Sequence, residues 1–132
     1  MAFPASVIMA GKEQAAVGFE PSDHVCRRAG VLPSPVAPAD KLGVSRQALS
    51  GEWPLNGVRL REDGTCGWYV WSGRTLSHDP DFFVPLHVEH LVEARPEVAP
   101  YLGLPPGWRF LLAPDHEDVW FDGSVLDGPN LV

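Results

Sequence analysis

The sequence contains few cysteines, and they show no spacing that would make them work together. Only Cys26 and Cys66 occur among 132 residues, and no Cys-x-x-Cys pair is present. Two cysteines do not make a disulfide framework, and reduced thiols are the default in the cytoplasm. A nucleophilic thiol needs a neighbouring base and an exposed, electropositive setting. Neither is visible around Cys66, so we expect it to be a buried structural thiol.

Long apolar runs and an excess of basic residues are also missing. No apolar stretch approaches the roughly 20 residues that span a membrane, and residues 1–12 lack the basic region of a signal peptide. Ten basic against seventeen acidic residues give a net charge of −7. This balance argues against a general affinity for nucleic acid or anionic lipid and suits a basic partner, although many cytoplasmic proteins are simply acidic. We therefore expect a cytoplasmic protein without a membrane or nucleic-acid partner.

Signatures of common catalytic and cofactor sites are absent too. The sequence has no serine nucleophile elbow, no phosphate-binding loop and no dinucleotide glycine pattern. We therefore assign no catalytic residue and expect no cofactor.

Proline and glycine are abundant instead. The chain has 14 prolines and 13 glycines, about a fifth of its residues against the roughly 12% of average usage. This predicts short elements and much irregular chain within one domain, residues 1–132. Three closely spaced prolines, at positions 33, 35 and 38, predict a long irregular connection at about 31–57. A mobile tail is expected from about residue 123.

Alternating and aromatic segments predict the sheet. Val58–Glu62 alternates apolar and charged residues, which is the period of a strand. Asp63-Gly64 is a strong hairpin signal, and Cys66–Trp71 returns with apolar side chains on both faces, as in a central strand. Trp108–Ala113 and Asp118–Asp122 predict a second hairpin. We expect an α+β fold with an antiparallel sheet of four to five strands and helices packed mainly on one face.

Capping residues and apolar periodicity predict the helices. Asp79 as N-cap and Pro80 at the first position would open the main helix, whose apolar side includes Phe83 and Val84 and which ends at Arg95. Residues 41–50 resemble part of a helix-turn-helix, but the prolines before them leave no room for the first helix. Short helices are also predicted at 25–29, 45–49 and 97–102, and a first strand at 14–19.

Two histidines on the predicted main helix raise the question of a metal site. His87 and His90 are three residues apart, so both side chains would point roughly the same way, and a third ligand such as His78 or His116 would suit zinc. The pair does not have the His-Glu-x-x-His spacing of metalloproteases. The alternative is a partly buried imidazole that is hydrogen-bonded to its surroundings. We favour the alternative and assign no metal ligand.

The C-terminal half resembles a known family. Its characteristic segments are a strand containing Gly67-Trp68 and ending in Ser72-Gly73, an Asp79-Pro80 loop, Pro100-Tyr101-Leu102 after a helix, and a final hairpin. From Pro54 to Asp122 this pattern is similar to the bacterial immunity proteins of type thirty-three in polymorphic toxin systems, which are also classified as a domain of unknown function. The resemblance implies a small α+β fold and a function by direct binding to a toxin. It implies no catalytic residues.

Acidic loops next to aromatic residues are the predicted partner-binding site. The loops at Ser77–Asp81 and Ala113–Asp118 would meet a basic toxin encoded nearby, because opposite charge steers the encounter. An exposed tryptophan beside them would add a binding hot spot. The residues assigned to this site are His78, Asp79, Asp81, Asp115, His116, Glu117, Asp118 and Trp71.

The sequence leaves two other functions open. One is a metal-dependent enzyme that uses His87 and His90. The other is an oligomerising structural or interaction module that uses exposed members of the five tryptophans. The sequence does not reveal the oligomeric state.

Overall fold

A computed structural model describes residues 24–127 apart from positions 75 and 78. The strands are β1 (Lys41–Ser45), β2 (Leu55–Arg59), β3 (Trp68–Ser72), β4 (Phe83–His87), β5 (Trp108–Ala113) and β6 (His116–Phe121). The helices are α1 (His24–Ala29), α2 (Arg46–Leu49) and α3 (Val88–Ala94), with 3-10 helices at Pro96–Tyr101 and Gly123–Asp127. The chain is therefore α+β, as predicted. The strand predicted at 14–19 lies outside the described residues.

The six strands form one mixed sheet in the order β4-β1-β3-β2-β5-β6. All neighbours are antiparallel except β1 and β3, which are parallel. The sheet therefore has more strands than the four to five predicted, and one of its five strand pairs is parallel, whereas the other four are antiparallel as predicted. The sequence patterns missed β1 and β4, and the parallel partner of β1 is reached only after α2 and β2. A local sequence pattern does not predict pairing between strands that are so far apart along the chain.

Both faces of β3 carry buried side chains, as expected for a central strand. Trp68 and Val70 are fully buried on one face, and Trp71 is 4% exposed on the other. The main core lies on the Trp68 face and contains buried residues from α1, α2 and α3. The opposite face carries a smaller cluster around Val58 and Trp71. The helices thus pack mainly on one face, as predicted.

The predicted connection at 31–57 is shorter than expected. Residues 31–40 and 50–54 lack a helix or strand, because β1, α2 and the start of β2 occupy the remainder. Leu42 and Val44 point into the main core and are 2% and 0% exposed. A strand can begin at Lys41 because the last proline of the segment is Pro38.

The segment from Phe83 to His87 is a strand, not the first part of a long helix. It pairs with β1, and Phe83 lies opposite Ser45. Val84 packs against the main core, whereas Phe83 packs against Tyr69 and Trp71 on the other face. A short apolar run fits either period, so pairing decided between them. The helix begins only at Val88, immediately after His87 as N-cap.

The predicted tail begins with an ordered turn. Residues 123–127 form a 3-10 helix, and Val125 is 4% exposed. Val125 packs in the smaller cluster with Val58, Leu60 and Trp71. The tail prediction is therefore wrong for these residues, because Val125 has an apolar surface to cover. Residues 128–132 lie outside the described part.

Gly57 in β2 is expected to be sensitive to alanine. A Cβ at this position would lie 2.2 Å from the Phe110 ring. Overpacking of this kind costs about 1–3 kcal/mol, so we expect Gly57→Ala to lower the free energy of unfolding by that amount in urea denaturation. Gly103→Ala is the control, because its nearest contact would be an ordinary 3.8 Å from Cys26 Sγ. Equal stability of the two variants would contradict the prediction.

Candidate functional site

The register of the sheet brings the two predicted acidic loops to the same end. The parallel strands β1 and β3 both finish there, and Ser72 at the end of β3 lies opposite Leu55. Leu55 is also opposite Leu112 near the end of β5, which in turn pairs with Glu117. The loop at 73–82 and the β5–β6 turn therefore project from the same end of the sheet. We call this surface the acidic end; its exposed carboxylates are Glu52, Asp79, Asp81, Glu97, Asp115, Glu117 and Asp118.

Basic residues near the acidic end are fewer than the carboxylates. Arg46 follows β1, Arg74 follows β3, and both are exposed. Arg28 reaches the acidic end from α1 and pairs with Glu117 at 2.9 Å. The local surface therefore carries an excess of negative charge.

The loop at 73–82 is fastened to the sheet at its start and shaped by Asp79 near its end. The Gly73 backbone N–H donates to the Pro54 carbonyl at 2.9 Å, and Asn56 Nδ2 donates to the Gly73 carbonyl at 2.9 Å. Farther along, Asp79 Oδ1 accepts from the Asp81 backbone N–H at 2.9 Å. One Asp79 oxygen thus serves the turn, as is common for aspartate. Both carboxylates remain exposed.

Glu117 ties three elements together in the β5–β6 hairpin. Its carboxylate accepts from Arg28 of α1 at 2.9 Å and from the Tyr101 hydroxyl through a short hydrogen bond. On the same strand, His116 Nε2 lies 2.9 Å from Asp118 Oδ2. The sequence did not reveal Arg28 and Tyr101 as partners, because each is far from Glu117 along the chain. Part of the charge of this hairpin is therefore neutralised from within the protein.

These contacts shift the ionisation of the groups that make them. Hydrogen bonds from Arg28 and Tyr101 lower the pKa of Glu117 below its ordinary value of 4.5. Burial, reinforced by the hydrogen bond to Glu117, raises the pKa of Tyr101. At neutral pH, Glu117 is therefore an anion and Tyr101 a neutral donor.

The lowered pKa of Glu117 predicts an acid-dependent contribution to stability. A lowered folded-state pKa stabilises above the unfolded value of about 4.5, and this stabilisation is lost as the pH falls through the folded value. Because Arg28 is largely exposed to solvent, we expect Glu117→Gln to cost about 1 kcal/mol or less at pH 7. The difference from the wild type should shrink towards pH 3 in urea denaturation. Asp115→Asn is the control, and a pH-independent difference for Glu117→Gln would contradict the assignment.

A buried arginine contacts residues of the acidic end from the interior of the protein. Arg95 is 3% exposed, and its Nη1 donates to the carbonyls of Ala48 at 2.6 Å and Glu52 at 3.2 Å. Its Nε lies 3.6 Å from Glu97, and the guanidinium stacks 4.7 Å from the Trp53 ring centre. Arg95 thus holds the backbone at Glu52, the carboxylate of Glu97 and the ring of Trp53.

An open groove runs across this end between aromatic and acidic side chains. Trp53, Tyr101 and Leu112 form part of its wall, and Asp115 and Glu117 lie on the hairpin side. Aromatic side chains surrounded by a polar rim are typical of protein-binding surfaces. The arrangement favours contact with a macromolecule over enclosure of a small substrate, because the groove is open to solvent.

The residues predicted for the partner-binding site do not all lie at the surface. Asp79, Asp81, Asp115, His116, Glu117 and Asp118 are exposed at one end of the sheet. Trp71 is 4% exposed within the smaller cluster, so its assignment as a partner-binding residue is corrected: an apolar face of β3 needed cover. His78 lies outside the described residues. The aromatic ring at this end is Trp53, which the sequence did not distinguish from the other tryptophans.

His87 and His90, the residues considered as metal ligands, lie close to each other. The rings of His87 and His90 are 5.6 Å apart between centres. Across residues 24–127, without positions 75 and 78, no three histidine, cysteine, aspartate or glutamate side chains are grouped as a metal would require. The Cys66 thiol is partly buried, and burial raises its pKa, which makes it less reactive.

The fold and the site define a small α+β domain with an acidic surface at one end of a mixed sheet. The chain matches the Imm33-like domain over residues 21–122 and belongs to that family. It is therefore an immunity-type protein. The match includes the proline-rich segment, so the resemblance extends beyond the C-terminal half that the sequence motifs indicated. No curated protein and no solved structure matches the chain.

None of the helices in the described part is long and apolar enough to cross a bilayer.

Proposed function

We propose that this protein neutralises a toxin by binding it directly, without catalysis, and that the acidic end contacts a basic surface of the toxin. The match to the Imm33-like domain over residues 21–122 supports the class of function. Both acidic loops lie at one end of the sheet, which supports the acidic end as the surface that contacts the toxin. A basic partner fits the net charge of −7.

Electrostatic attraction and aromatic contact have separate roles in this proposal. The exposed carboxylates raise the rate of encounter with a basic partner, an effect that salt screens. Trp53 and Tyr101 in the groove supply apolar contact area once the partner has docked. Because Arg95 holds Trp53 and Glu52 from below, little ordering is needed on binding.

The direct test is co-expression with the product of the neighbouring reading frame. We expect the two proteins to co-purify as a complex and the cells to survive expression of that product only when this chain is present. Absence of both binding and protection would refute the proposal.

Charge reversal tests the place of contact. The double variant Asp81→Lys, Asp115→Lys changes two exposed carboxylates at the acidic end. We expect a dissociation constant about 100-fold higher, since like charges at an interface cost several kcal/mol, and an association rate that depends less on salt. Surface plasmon resonance at two salt concentrations would measure both quantities.

A matched control separates local from global charge. Asp63 and Glu89 are exposed and lie towards the opposite end, in the β2–β3 connection and at the start of α3. Asp63→Lys, Glu89→Lys changes the net charge by the same amount. We expect less than a tenfold effect on affinity. If the two double variants weakened binding equally, contact at the acidic end would be wrong.

A further inference from the structure

The two edges of the sheet differ in their ability to pair with another strand. One edge is β4, whose central residue Pro85 lies opposite Gly43 of β1. Proline has no backbone N–H, so the outer side of β4 lacks a donor at its centre, a common way of protecting an edge. The other edge is β6, which contains no proline.

The register of β6 shows which of its backbone groups point outwards. In an antiparallel pair, hydrogen-bonded and non-hydrogen-bonded residue pairs alternate. The Asp122 backbone N–H donates to the Gly107 carbonyl at 2.7 Å, which sets the phase. Glu117, Val119 and Phe121 are the alternate residues, so their N–H and C=O groups face away from β5. Within the described residues, none of these groups has a backbone partner beyond the sheet.

A groove lined by both apolar and charged side chains lies beside this edge. It runs between α1 and β6. Val25, Ala29, Trp108, Val119 and Phe121 belong to its apolar part, and Arg28, Glu117 and Asp118 to its charged part. Phe121 is 54% exposed, although it is a large apolar residue. A strand added to β6 would place every second side chain on the α1 face, beside this groove.

The opposite face of β6 offers a second aromatic contact. Trp120 is 39% exposed on that face, beneath the guanidinium of Arg109 at 5.6 Å from the ring centre. The other side chains of an added strand would reach Trp120. Both rows of side chains in such a strand would thus meet an exposed aromatic ring.

The charge of β6 selects the kind of strand that would pair with it. Glu117 and Asp118 lie on β6, and Asp115 and Asp122 flank it. Arg28 pairs with Glu117 and Arg109 pairs with Asp122, so the excess of negative charge comes from Asp115 and Asp118. A second copy of β6 would bring like charges together, which is unfavourable across adjacent strands. A strand with lysine or arginine would instead be attracted.

We propose that β6 accepts an extended basic segment of the partner as an additional strand of the sheet. This inference rests on the proposed function, because the partner is taken to be the toxin. The added strand hydrogen-bonds to the outward groups of Glu117, Val119 and Phe121, and its apolar side chains enter the groove beside α1.

Amide hydrogen exchange tests the pairing residue by residue. The probe is the product of the neighbouring reading frame, added to the isotope-labelled full chain. We expect the amides of Glu117, Val119 and Phe121 to exchange rapidly in the free chain and at least tenfold more slowly in the complex, because an outward N–H becomes protected only when a strand is added. The alternate amides of β6 should be protected in both states.

A proline substitution provides a second measurement. Val119→Pro removes one outward donor and leaves the hydrogen bonds to β5 in place, and Val119→Thr keeps the donor with a similar shape. We expect Val119→Pro to raise the dissociation constant about tenfold relative to Val119→Thr, since one hydrogen bond contributes about 1 kcal/mol. Thermal melts would establish that both variants are folded, and the exchange experiment does not depend on either variant.

The outcomes distinguish this inference from the proposed function. Binding without protection of the three outward amides, or equal affinity of the two variants, overturns strand addition and leaves the proposed function standing. Failure of the neighbouring product to bind or to be neutralised overturns both. Protection of the outward amides in the free chain that grows with its concentration identifies a second copy as the occupant, which also overturns the proposal of a basic strand.

Discussion

Replacing Trp68 with alanine is expected to lower the free energy of unfolding by about 3–5 kcal/mol, the usual range for a large buried aromatic residue. Trp68 is 0% exposed and packs 5.4 Å from Phe110 between ring centres. Its Nε1 also donates to the Leu102 carbonyl at 2.9 Å. Because it lies in the central strand, the cavity would face the main core and could not fill with water from the surface.

Urea denaturation followed by circular dichroism would measure this loss. Trp120→Ala is the control, because Trp120 is 39% exposed and its truncation should cost about 1 kcal/mol or less. Trp68→Phe retains most of the apolar volume and removes the indole donor, so its effect should lie between those of the wild type and Trp68→Ala. A change below about 1 kcal/mol for Trp68→Ala would mean that the core is not packed as described.

Replacing Arg59 with methionine is expected to cost about 3 kcal/mol, because several carbonyls would lose their donor at once. Arg59 is 7% exposed. Its guanidinium donates to the carbonyls of Cys66 at 2.8 Å, Ser34 at 2.7 Å and Leu104 at 2.9 Å. One side chain thus connects the β2–β3 hairpin, the proline-rich segment and the turn after the first 3-10 helix.

Replacing Arg59 with methionine also removes the free-energy cost of burying a charge, and this reduces the expected loss of stability. Burial lowers the pKa of Arg59, which shows that the folded state disfavours the cation, and a neutral methionine avoids that cost. The lost hydrogen bonds outweigh this gain because each carbonyl remains in a crowded environment. Arg59→Lys should be intermediate, since an ammonium reaches fewer of these acceptors than a guanidinium.

The same denaturation experiment would test Arg59→Met. Arg61→Met is the matched control, because Arg61 is exposed only two residues farther along and its replacement should change stability by less than about 0.5 kcal/mol. Proteolysis within residues 31–40 should also become faster in Arg59→Met, since Ser34 would lose its anchor. Equal stability of the two variants would show that the network around Arg59 does not hold these segments.

Both residues link stability to the proposed binding surfaces. Arg59 stacks 5.9 Å from the Trp68 ring centre, and both side chains donate to the Leu102 carbonyl. Their effects should therefore be non-additive in a double-mutant cycle. Leu102 immediately follows Tyr101, the residue that holds Glu117. Disturbing this contact would loosen the wall of the groove at the acidic end.

Much of the fold followed from local patterns. The Asp63-Gly64 turn, the aromatic strand after it and the second hairpin all occur near the predicted positions, because alternation and turn residues act over a few residues. The helices α1 and α2 and the first 3-10 helix also lie where capping and proline residues predicted them. The family resemblance rested on the same segments.

The failures share a physical cause. β1 lies within the segment predicted as an irregular connection at about 31–57, and the apolar run at Phe83 fitted a helix as well as a strand. Pairing between β1 and β4 decided both cases, and that pairing joins residues about 40 positions apart. The burial of Trp71 depended in the same way on Phe83 and Val125, which approach it only in the folded chain.

The sequence by itself determined the acidic charge, the two hairpins and the family. The tertiary structure alone decided that the loops with Asp81 and Asp115 share one end of the sheet, and that Arg28 and Tyr101 hold Glu117. It also decided that Pro85 lies at the centre of the edge strand β4, and that β6 has no further strand beside it within the described residues. The reason is that strand order and register are set by contacts between distant residues, whereas composition, turns and periodicity are properties of neighbours along the chain.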